Sequence, residues 1–484
     1  MTGNPKGTVA AGHQLTAEAG ADMLREGGNA FDAAIAALAT ACVCEPVLAS
    51  PGGGGFAKIR DGRSGKTELL DFFPQTPRQR RGDCSRGFQS ITADFGSATQ
   101  VFHIGPATVA TPGFLSGLSA LHERGATLPL ADLYAPAIRA ARTGHRVTRY
   151  QHYLSTVVRP ILTATERARH LFAPTGDLPA AGSLFVNAGI GDFFSELARA
   201  DWKKSAIADQ ILAEQRENGH LTRDDLEAYE VRTREPIRVD LDGARVYLNP
   251  PPAACGALIR YALTHLETCN MPDMAAALHL TDTARLSARG DLSRLLDRPM
   301  RQKGTTHISV VDAEGNACSV TVSNGTGNGE VVDGYGFMLN NILGEEDVNP
   351  HGSADWPTDT RLASMMCPTL IDTSQGDLVA LGSGGSNRIR SAIFQVVARF
   401  CLGQASLAEA VEAPRLHVEE GHLDVEVPEP NDALPCLQER FPDHRIWPEK
   451  NMFFGGVHAV CADSRGGFSS IGDHRREGAA VVVD

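Results

Sequence analysis

Apolar and polar residues alternate along Thr305-Thr306-His307-Ile308-Ser309-Val310-Val311-Asp312, the two-residue period of a strand. Ala313-Glu314-Gly315-Asn316 carries turn chemistry, and Ala317-Cys318-Ser319-Val320-Thr321-Val322-Ser323 is a second β-branched run. The pattern predicts a hairpin with Thr305 at the very start of its first strand. Upstream, it predicts a strand at 8–11, a helix at 15–25 stopped by Gly27-Gly28-Asn29, and a helix at 30–44. The second helix is apolar nearly all round and should be central. The glycine run 52–55 lacks a phosphate loop's ending, so a tight packing turn before a strand at 57–60 is the favoured reading. A strand at 69–73 leads into a polar loop that reaches Phe102, and a helix follows Gly113 to about 125. Residues 130–213 read as helical with breaks at Gly144, Pro160 and 176–187. Thr222 with Asp225 three residues on marks another helix start. A strand at 244–248 and Pro250-Pro251-Pro252 precede one more helix. The polar segment 270–303 is expected to be an exposed, cleavable connection. A strand at 378–381, a glycine turn, a helix at 389–402 and strands at 422–427, 457–462 and 479–483 close a mixed helix-and-strand chain.

Composition narrows the class. At 484 residues and 42% hydrophobic, the chain can bury one or two large cores, and 6% aromatic beside 49 glycines suits close helix-on-sheet packing. A formal charge of −13 argues against sequence-independent nucleic-acid binding. The one basic run, Arg78-Gln79-Arg80-Arg81, is assigned to a solvated loop. No secretory pattern and no apolar run of membrane-spanning length is seen, so a cytoplasmic protein is expected. Ten cysteines occur without a CxxC pair, and Cys42 and Cys44 turn to different helix faces. Free, mostly buried thiols account for them.

A threonine that opens a strand after a glycine suggests chemistry of its own. Cutting the Gly304–Thr305 bond would leave Thr305 with a hydroxyl nucleophile and a free α-amine. The reference pKa of that amine, near 8, lies about two units below that of lysine, so it can accept the proton of its own hydroxyl. The competing reading is an ordinary threonine-rich strand entry. A metal site built from His307, His351, His417 and His422 is disfavoured, because their spacings match no metal motif. His307, on a strand, is expected to be a core or supporting histidine, and Glu346 and Asp347 to be solvated loop charges.

An ordered series then covers nearly the whole chain. It runs Glu26-Gly27-Gly28-Asn29-Ala30-Phe31-Asp32-Ala33-Ala34, 52–56, 109–113, 221–226, 250–252, 305–312, 339–341, 382–388 and Asp473-His474-Arg475-Arg476-Glu477-Gly478. In that order these segments resemble the γ-glutamyltransferases (γ-glutamyltranspeptidases) of the N-terminal-nucleophile hydrolase superfamily. The resemblance implies an α+β fold, a four-layer αββα sandwich made as one precursor. It also implies a cut that yields a large segment, 1–304, and a small one, 305–484, intertwined in one domain. By motif position Thr305 is the nucleophile and Ser323 bonds to its amine. The turn 382–386, with Gly385 and Ser386, stabilises the oxyanion. Asn324, Asn341, Glu345 and Ser364 fall at substrate-contacting positions. No cofactor or metal is implied. The expected partners are a small-molecule amide or acyl substrate and the two segments of the same precursor, with a homodimer of processed heterodimers admitted.

Four departures bear on specificity. The family's carboxylate-holding arginine is Phe73 here, and one of its paired serines is Ala363, beside Ser364. The glutamine after the Asn-Asn pair is Ile342, while the acid that binds the substrate amine is present in longer form as Glu345. The segment 345–361 is shorter than a typical lid-bearing segment. The nucleophile machinery is thus intact while the glutamate clamp is eroded. The expectation is a hydrolase of a non-glutamyl amide, or of another acyl carbonyl, including a carbon–carbon bond beside one. Genuine γ-glutamyl transfer is the enzymatic alternative, and an unprocessed binding scaffold the non-enzymatic one. Retention of Thr305 in its base-forming context stands against the scaffold.

Overall fold

The hairpin forms where the alternation placed it. Gly304–Asp312 pairs antiparallel with Ala317–Gly325 at the centre of a seven-stranded sheet. The computed structural model describes residues 5–82, 84–94, 99–287, 304–345, 356–427 and 432–484. In spatial order that sheet runs Ala479–Val483, Gly7–Ala11, Gly304–Asp312, Ala317–Gly325, Gly54–Arg60, Thr67–Phe72 and Arg232–Arg234. A second, six-stranded sheet runs Phe468–Ile471, Gly456–Ala462, Leu378–Gly384, Thr369–Asp372, Ala244–Leu248 and Ile237–Leu241. The two sheets pack face to face, with Gln14–Arg25 and Ala30–Cys44 covering the first and Cys255–Thr264 and Arg388–Cys401 the second. The protein is therefore α+β, in four layers.

Local chemistry explains the central helix. Asn29 caps Ala30–Cys44 and Asp32 answers with its own side chain, a reciprocal capping box. Asp32 also accepts from the backbone of Thr127 and Leu128, tying the cap to a neighbouring loop. All of the helix is buried. The glycine run packs rather than cradles: a Cβ on Gly53 or Gly55 would lie 2.4 Å from Ser323 O or 2.2 Å from Thr321 O. Between the sheets the contact is partly polar. Ser309 Oγ donates to His458 O (3.1 Å) and Ser319 Oγ to Leu381 O (2.8 Å), so hydroxyls stitch one sheet to the other.

Two expectations change. The polar loop before Phe102 contains a hairpin, Gln89–Asp94 with Thr99–Ile104. The segment expected to be an exposed connection contains the half-buried helix Met271–Ser287. Its polar residues misled because Asp282 is buried between Arg285 and Arg390 at 2.8 and 3.1 Å. Residues 288–303, and with them Arg301, Gln302 and Lys303, lie outside the described residues, as do Glu346, Asp347 and His351. All ten cysteines are free thiols. Among the described residues no helix is long and apolar enough to cross a membrane.

Candidate active site

The strand that carries Thr305 begins irregularly. Its register shifts between Gly304, opposite Gly325, and Thr305, opposite Ser323. Ser323 Oγ donates to Gly304 O at 2.5 Å, and the Gly325 amide donates to Ser323 Oγ at 3.0 Å. The carbonyl before Thr305 is thus polarised by a hydroxyl that is itself held in place. Only glycine fits before the threonine: a Cβ on Gly304 would lie 2.4 Å from Val47 O and 2.5 Å from Gly325 O. Thr305 itself is buried, at 4% exposure.

Strand alternation sends Thr305, His307 and Ser309 toward the second sheet. There the strand Leu378–Gly384 ends against Thr305, since a Cβ on Gly384 would sit 2.2 Å from Thr305 O. Gly385 (φ +121°) and Ser386 (φ +59°) then turn the chain into the helix Arg388–Cys401. Serine in that left-handed conformation is strained, as often at functional sites. Their amides meet no acceptor among the described residues. They lie just before a helix N-terminus, where the dipole favours an anion.

A small pocket, about 30 Å³ in volume, opens beside Gly304 and Gly385. Val47, Phe102, Leu154, Val157, Met452 and Phe453 give it apolar walls, and Tyr150, Thr326 and Arg476 are its polar members. Arg476 crowds the glycine turn: its Nη2 lies 2.7 Å from where a Gly385 Cβ would be. Its guanidinium is 5.7 Å from the Tyr150 ring centre, and among the described residues its one acceptor is Met452 O at 3.4 Å. Among the described residues Arg476 Nε and Tyr150 Oη are buried with no hydrogen-bond partner. Burial raises the Tyr150 hydroxyl pKa, and the Arg476 charge opposes that.

Behind the strand lies Glu45. It accepts from Thr306 Oγ1 (2.7 Å) and Thr16 Oγ1 (2.9 Å), and burial pushes its pKa up to about 7 against those hydrogen bonds. His307 is fully buried between Thr321 Oγ1 and Ser309 Oγ, both at 2.8 Å. Burial first, and then His458, hold its pKa well below the ordinary imidazole value. It is a supporting residue, as expected.

The other expected contacts divide into two groups. Asn341 and Glu345 converge on Gly325, whose Cβ would meet Asn341 Oδ1 at 2.2 Å and Glu345 Oε1 at 2.8 Å. Asn341 is also structural, accepting from the Thr326 amide and donating to Thr326 Oγ1 and His103 O. Asn324, next to Ser323, sits on the opposite strand face, buried, and does not line the pocket. Phe73, Ala363 and Ser364 form a second group near Pro74, which packs on Gly54, the register partner of Ser323. Phe73 does not present its ring to the pocket. It is 3% exposed and stacked on Phe56 at 5.5 Å in the core. The nearby arginines offer no replacement clamp. Arg361 is bonded to Phe73 O, Tyr229 Oη and Glu230 O, and exposed Arg78 faces Asp224 and Asp359. No group of three His, Cys, Asp or Glu among the described residues is arranged to hold a metal.

Sequence reasoning missed Glu45, Tyr150 and the apolar walls. Arg476 stood inside the closing Asp473–Gly478 motif but had no role assigned. The motif's other arginine, Arg475, is fully paired with Glu426 and Asp473.

The family model described as Gamma-glutamyltranspeptidase matches residues 16–298 and 279–483. The glutathione hydrolase proenzyme of Escherichia coli (strain K12) is 29% identical over 475 residues, covering 85% of this chain and 81% of that protein. The acylase ACY 1 proenzyme of Pseudomonas sp. (strain V22) is 28% identical over 535 residues, covering 99% and 94%. The crystal structure of cephalosporin acylase from Bacillus halodurans superposes with a TM-score of 0.82 at 24% identity, covering 99% of this chain and 96% of that one. That likeness shows the fold.

Proposed function

Because this chain belongs to the γ-glutamyltranspeptidase family of hydrolytic and acyl-transferring enzymes, we propose that it is a self-cutting hydrolase. Its nucleophile is Thr305, and its substrate is an amide whose acyl group is not γ-glutamyl. The observation that carries the reading is the 2.5 Å bond from Ser323 Oγ to Gly304 O across the shifted register.

The chemistry follows from the placement. The Thr305 hydroxyl adds to the Gly304 carbonyl, whose oxygen gains negative charge against the Ser323 hydroxyl. Collapse breaks the C–N bond, the acyl group passes from nitrogen to oxygen, and water hydrolyses the ester. Gly304 leaves as a carboxylate and Thr305 keeps a free α-amine. That amine then takes the hydroxyl proton when Thr305 attacks a substrate carbonyl and passes it to the leaving amine; water, deprotonated by the same amine, then cleaves the acyl–Thr305 ester, releasing the carboxylic acid and restoring the hydroxyl. The Gly385 and Ser386 amides receive the oxyanion, with the Arg476 charge beside them. The segments 1–304 and 305–484 stay together after the cut because their strands interleave in the seven-stranded sheet and pair at one junction, Ala244–Leu248 with Thr369–Asp372, in the six-stranded one.

A non-glutamyl substrate is supported by Phe73 lying in the core, Ala363 lacking a hydroxyl and Arg361 being engaged elsewhere. The one observation favouring a glutamyl compound is Glu345 beside Gly325, where it could meet a substrate amine. Two measurements test the reading. N-terminal sequencing of the smaller fragment of the purified protein should begin at Thr305. The kcat/KM for γ-glutamyl para-nitroanilide should fall roughly one to two orders of magnitude below that for the best neutral acyl anilide. A protein that stays one chain yet is active removes Thr305 from its role. Preference for the glutamyl compound makes the protein an ordinary member of the family.

A further inference from the structure

The helix Arg388–Cys401, which begins where the glycine turn ends, is tied along one face to the strand Leu416–Glu419. Asn387, Ser391 and Gln395 recur every four residues, the spacing of one helix face. Gln395 exchanges two hydrogen bonds with the Leu416 backbone, at 2.8 and 3.1 Å. Ser391 Oγ meets His417 Nδ1 at 2.7 Å, and Asn387 Nδ2 donates to Glu419 Oε1. His417 Nε2 lies 3.4 Å from the other Glu419 oxygen. Burial lowers the His417 pKa against the pull of Glu419, so the ring is neutral. Its Nε2–H donates to the carboxylate and its Nδ1 accepts from Ser391. Of these three ties the last is the one made to a charge, and it falls on the residue next to Ser386.

From this placement we infer that Glu419 is a positioning residue for acyl transfer: through Asn387 it fixes the aim of the Gly385 and Ser386 amides. The inference rests on the reading of those amides as receivers of the oxyanion. Ser386, at φ +59°, is strained and keeps that conformation only where its surroundings hold it. Within the turn the holding bonds are the first of the helix. They run from the Arg388 amide to Gly385 O and from the Ile389 amide to Ser386 O, at 3.3 and 3.0 Å. Asn387 stands at the helix start, where an asparagine side chain normally caps, yet it makes no capping bond. Its side chain is committed to Glu419 instead. Glu419 is itself a fixed post. The Glu420 amide donates to Asp282 Oδ2 at 2.6 Å, and Asp282 is buried between Arg285 and Arg390. Burial would raise the Glu419 pKa, but the His417 hydrogen bond and the Arg388 and Arg390 charges hold it down to about 2, so the acceptor is ionised at neutral pH. An oxyanion donor helps most when it is aimed before the charge develops, and a charged strap one residue away secures that aim.

The self-cut and the turnover of substrate separate a positioning role from a structural one. The oxyanion of the cut meets Ser323, whereas that of a substrate meets the turn. Cutting rate, kcat and KM are therefore compared on the wild type, Glu419→Ala, Glu419→Gln and Ser391→Ala, with para-nitrophenyl acetate and butanoyl para-nitroanilide as acyl donors. Glu419→Ala should lower kcat about ten- to thirtyfold, short of the roughly 10²–10³ lost when a donor is removed outright. Its KM and cutting rate should stay within about twofold of wild type. Glu419→Gln still offers Asn387 an acceptor and should recover most of the loss. Ser391→Ala breaks the neighbouring tie and should lower Tm without changing kcat. Asn387→Ala breaks the same bond from the other side and takes the place of Glu419→Ala should that variant not fold. Wild-type kcat in Glu419→Ala, or an equal loss of kcat in Ser391→Ala, overturns the inference. A wild type that is cut but acylated by neither donor removes the oxyanion reading, and the inference with it. A wild type that stays uncut yet turns over a donor removes Thr305 as nucleophile, and the kcat series still decides the strap.

Discussion

At the two ends of the central hairpin, similarly buried polar residues, Asp312 and Asn316 at one and Thr305 and Ser323 at the other, are completed very differently. At the turn end Asp312 Oδ1 accepts from the amides of Glu314 and Asn316, both at 2.9 Å. Its Oδ2 accepts from the Ala30 amide and Asn316 Nδ2, at 2.9 and 2.8 Å. Every acceptor there is used, and the turn is fastened to the start of the central helix. At the Thr305 end Tyr150 Oη and Arg476 Nε are buried without partners, and the Gly385 and Ser386 amides meet no acceptor among the described residues. Burial is common to both ends, so exposure does not separate them. Folding satisfies polar groups where only stability is at stake, and an end that leaves several unmet at one pocket is an end completed by something else.

The sharpest break in that comparison is Thr305→Ala. It should remain a single chain of 51.6 kDa on a denaturing gel and lose activity by on the order of 10⁴-fold or more, with a Tm close to that of an uncut wild type. A cut, active Thr305→Ala protein would show that the open end is not the catalytic one.

Adjacent arginines repeat the contrast within one motif. Arg475 bonds Glu426 through Nε and Nη2 at 2.8 and 2.5 Å and Asp473 at 3.3 Å. Arg415 joins them through Asp473 at 2.6 Å. Arg475→Met leaves the buried Glu426 carboxylate without its charge partner, while Asp473 keeps Arg415, and should cost about 3–5 kcal/mol of stability, read as a urea midpoint. Arg476→Met orphans no carboxylate and should cost under about 1 kcal/mol while lowering kcat. Equal losses of stability would remove the distinction between a paired and a poised arginine.

Ser323→Ala probes the one bond already made at the open end. Loss of a donor to a developing oxyanion typically costs about 3–4 kcal/mol, so the cut should slow by two to three orders of magnitude. A time course of fragment appearance after purification measures it. Processing at the wild-type rate would mean that the 2.5 Å contact to Gly304 O does no catalytic work.

Much of this contrast was legible in the amino-acid sequence, and what was not has a physical reason. Alternation placed the hairpin, a run apolar nearly all round marked the central helix, and a glycine before a threonine pointed to the proposed cut. These are local signals, carried by residues a few positions apart. Tyr150 and Leu154 were invisible because they sit on an ordinary helix, Arg149–Val157, that reaches the pocket beside Gly304 only through the fold. Phe73 was legible as the loss of an arginine but not as a core residue, since its stack on Phe56 spans two strands. Arg476 could have been singled out by asking which arginine of the motif had a carboxylate, and that question needs coordinates.

The smallest expected effect concerns Glu45, which holds the open end from behind through Thr306. Its carboxyl pKa is raised from 4.5 to about 7, chiefly by burial. Between those values the folded protein keeps a proton that the unfolded chain has released, so this group's contribution to stability is greatest at low pH. It declines as pH rises from about 4.5 to about 7 and is flat above. The full decline amounts to at most about 3 kcal/mol, and water reaching the carboxylate would reduce it. Buried His13 and His145, each held down to about 4, act in the opposite direction over an overlapping range. The wild-type curve alone therefore decides nothing. The informative quantity is the difference between Glu45 and Glu45→Gln, both in the Thr305→Ala background so that unfolding involves one uncut chain. The glutamine carbonyl can still accept one of the two threonine hydroxyls but cannot titrate. The variant should be relatively more stable at pH 8 than at pH 5, by about 1–3 kcal/mol in urea unfolding. Parallel pH profiles would mean that Glu45 is ionised throughout. The open end would then carry a buried carboxylate as settled as Asp312, and the two ends would differ in fewer groups than the hydrogen-bond pattern indicates.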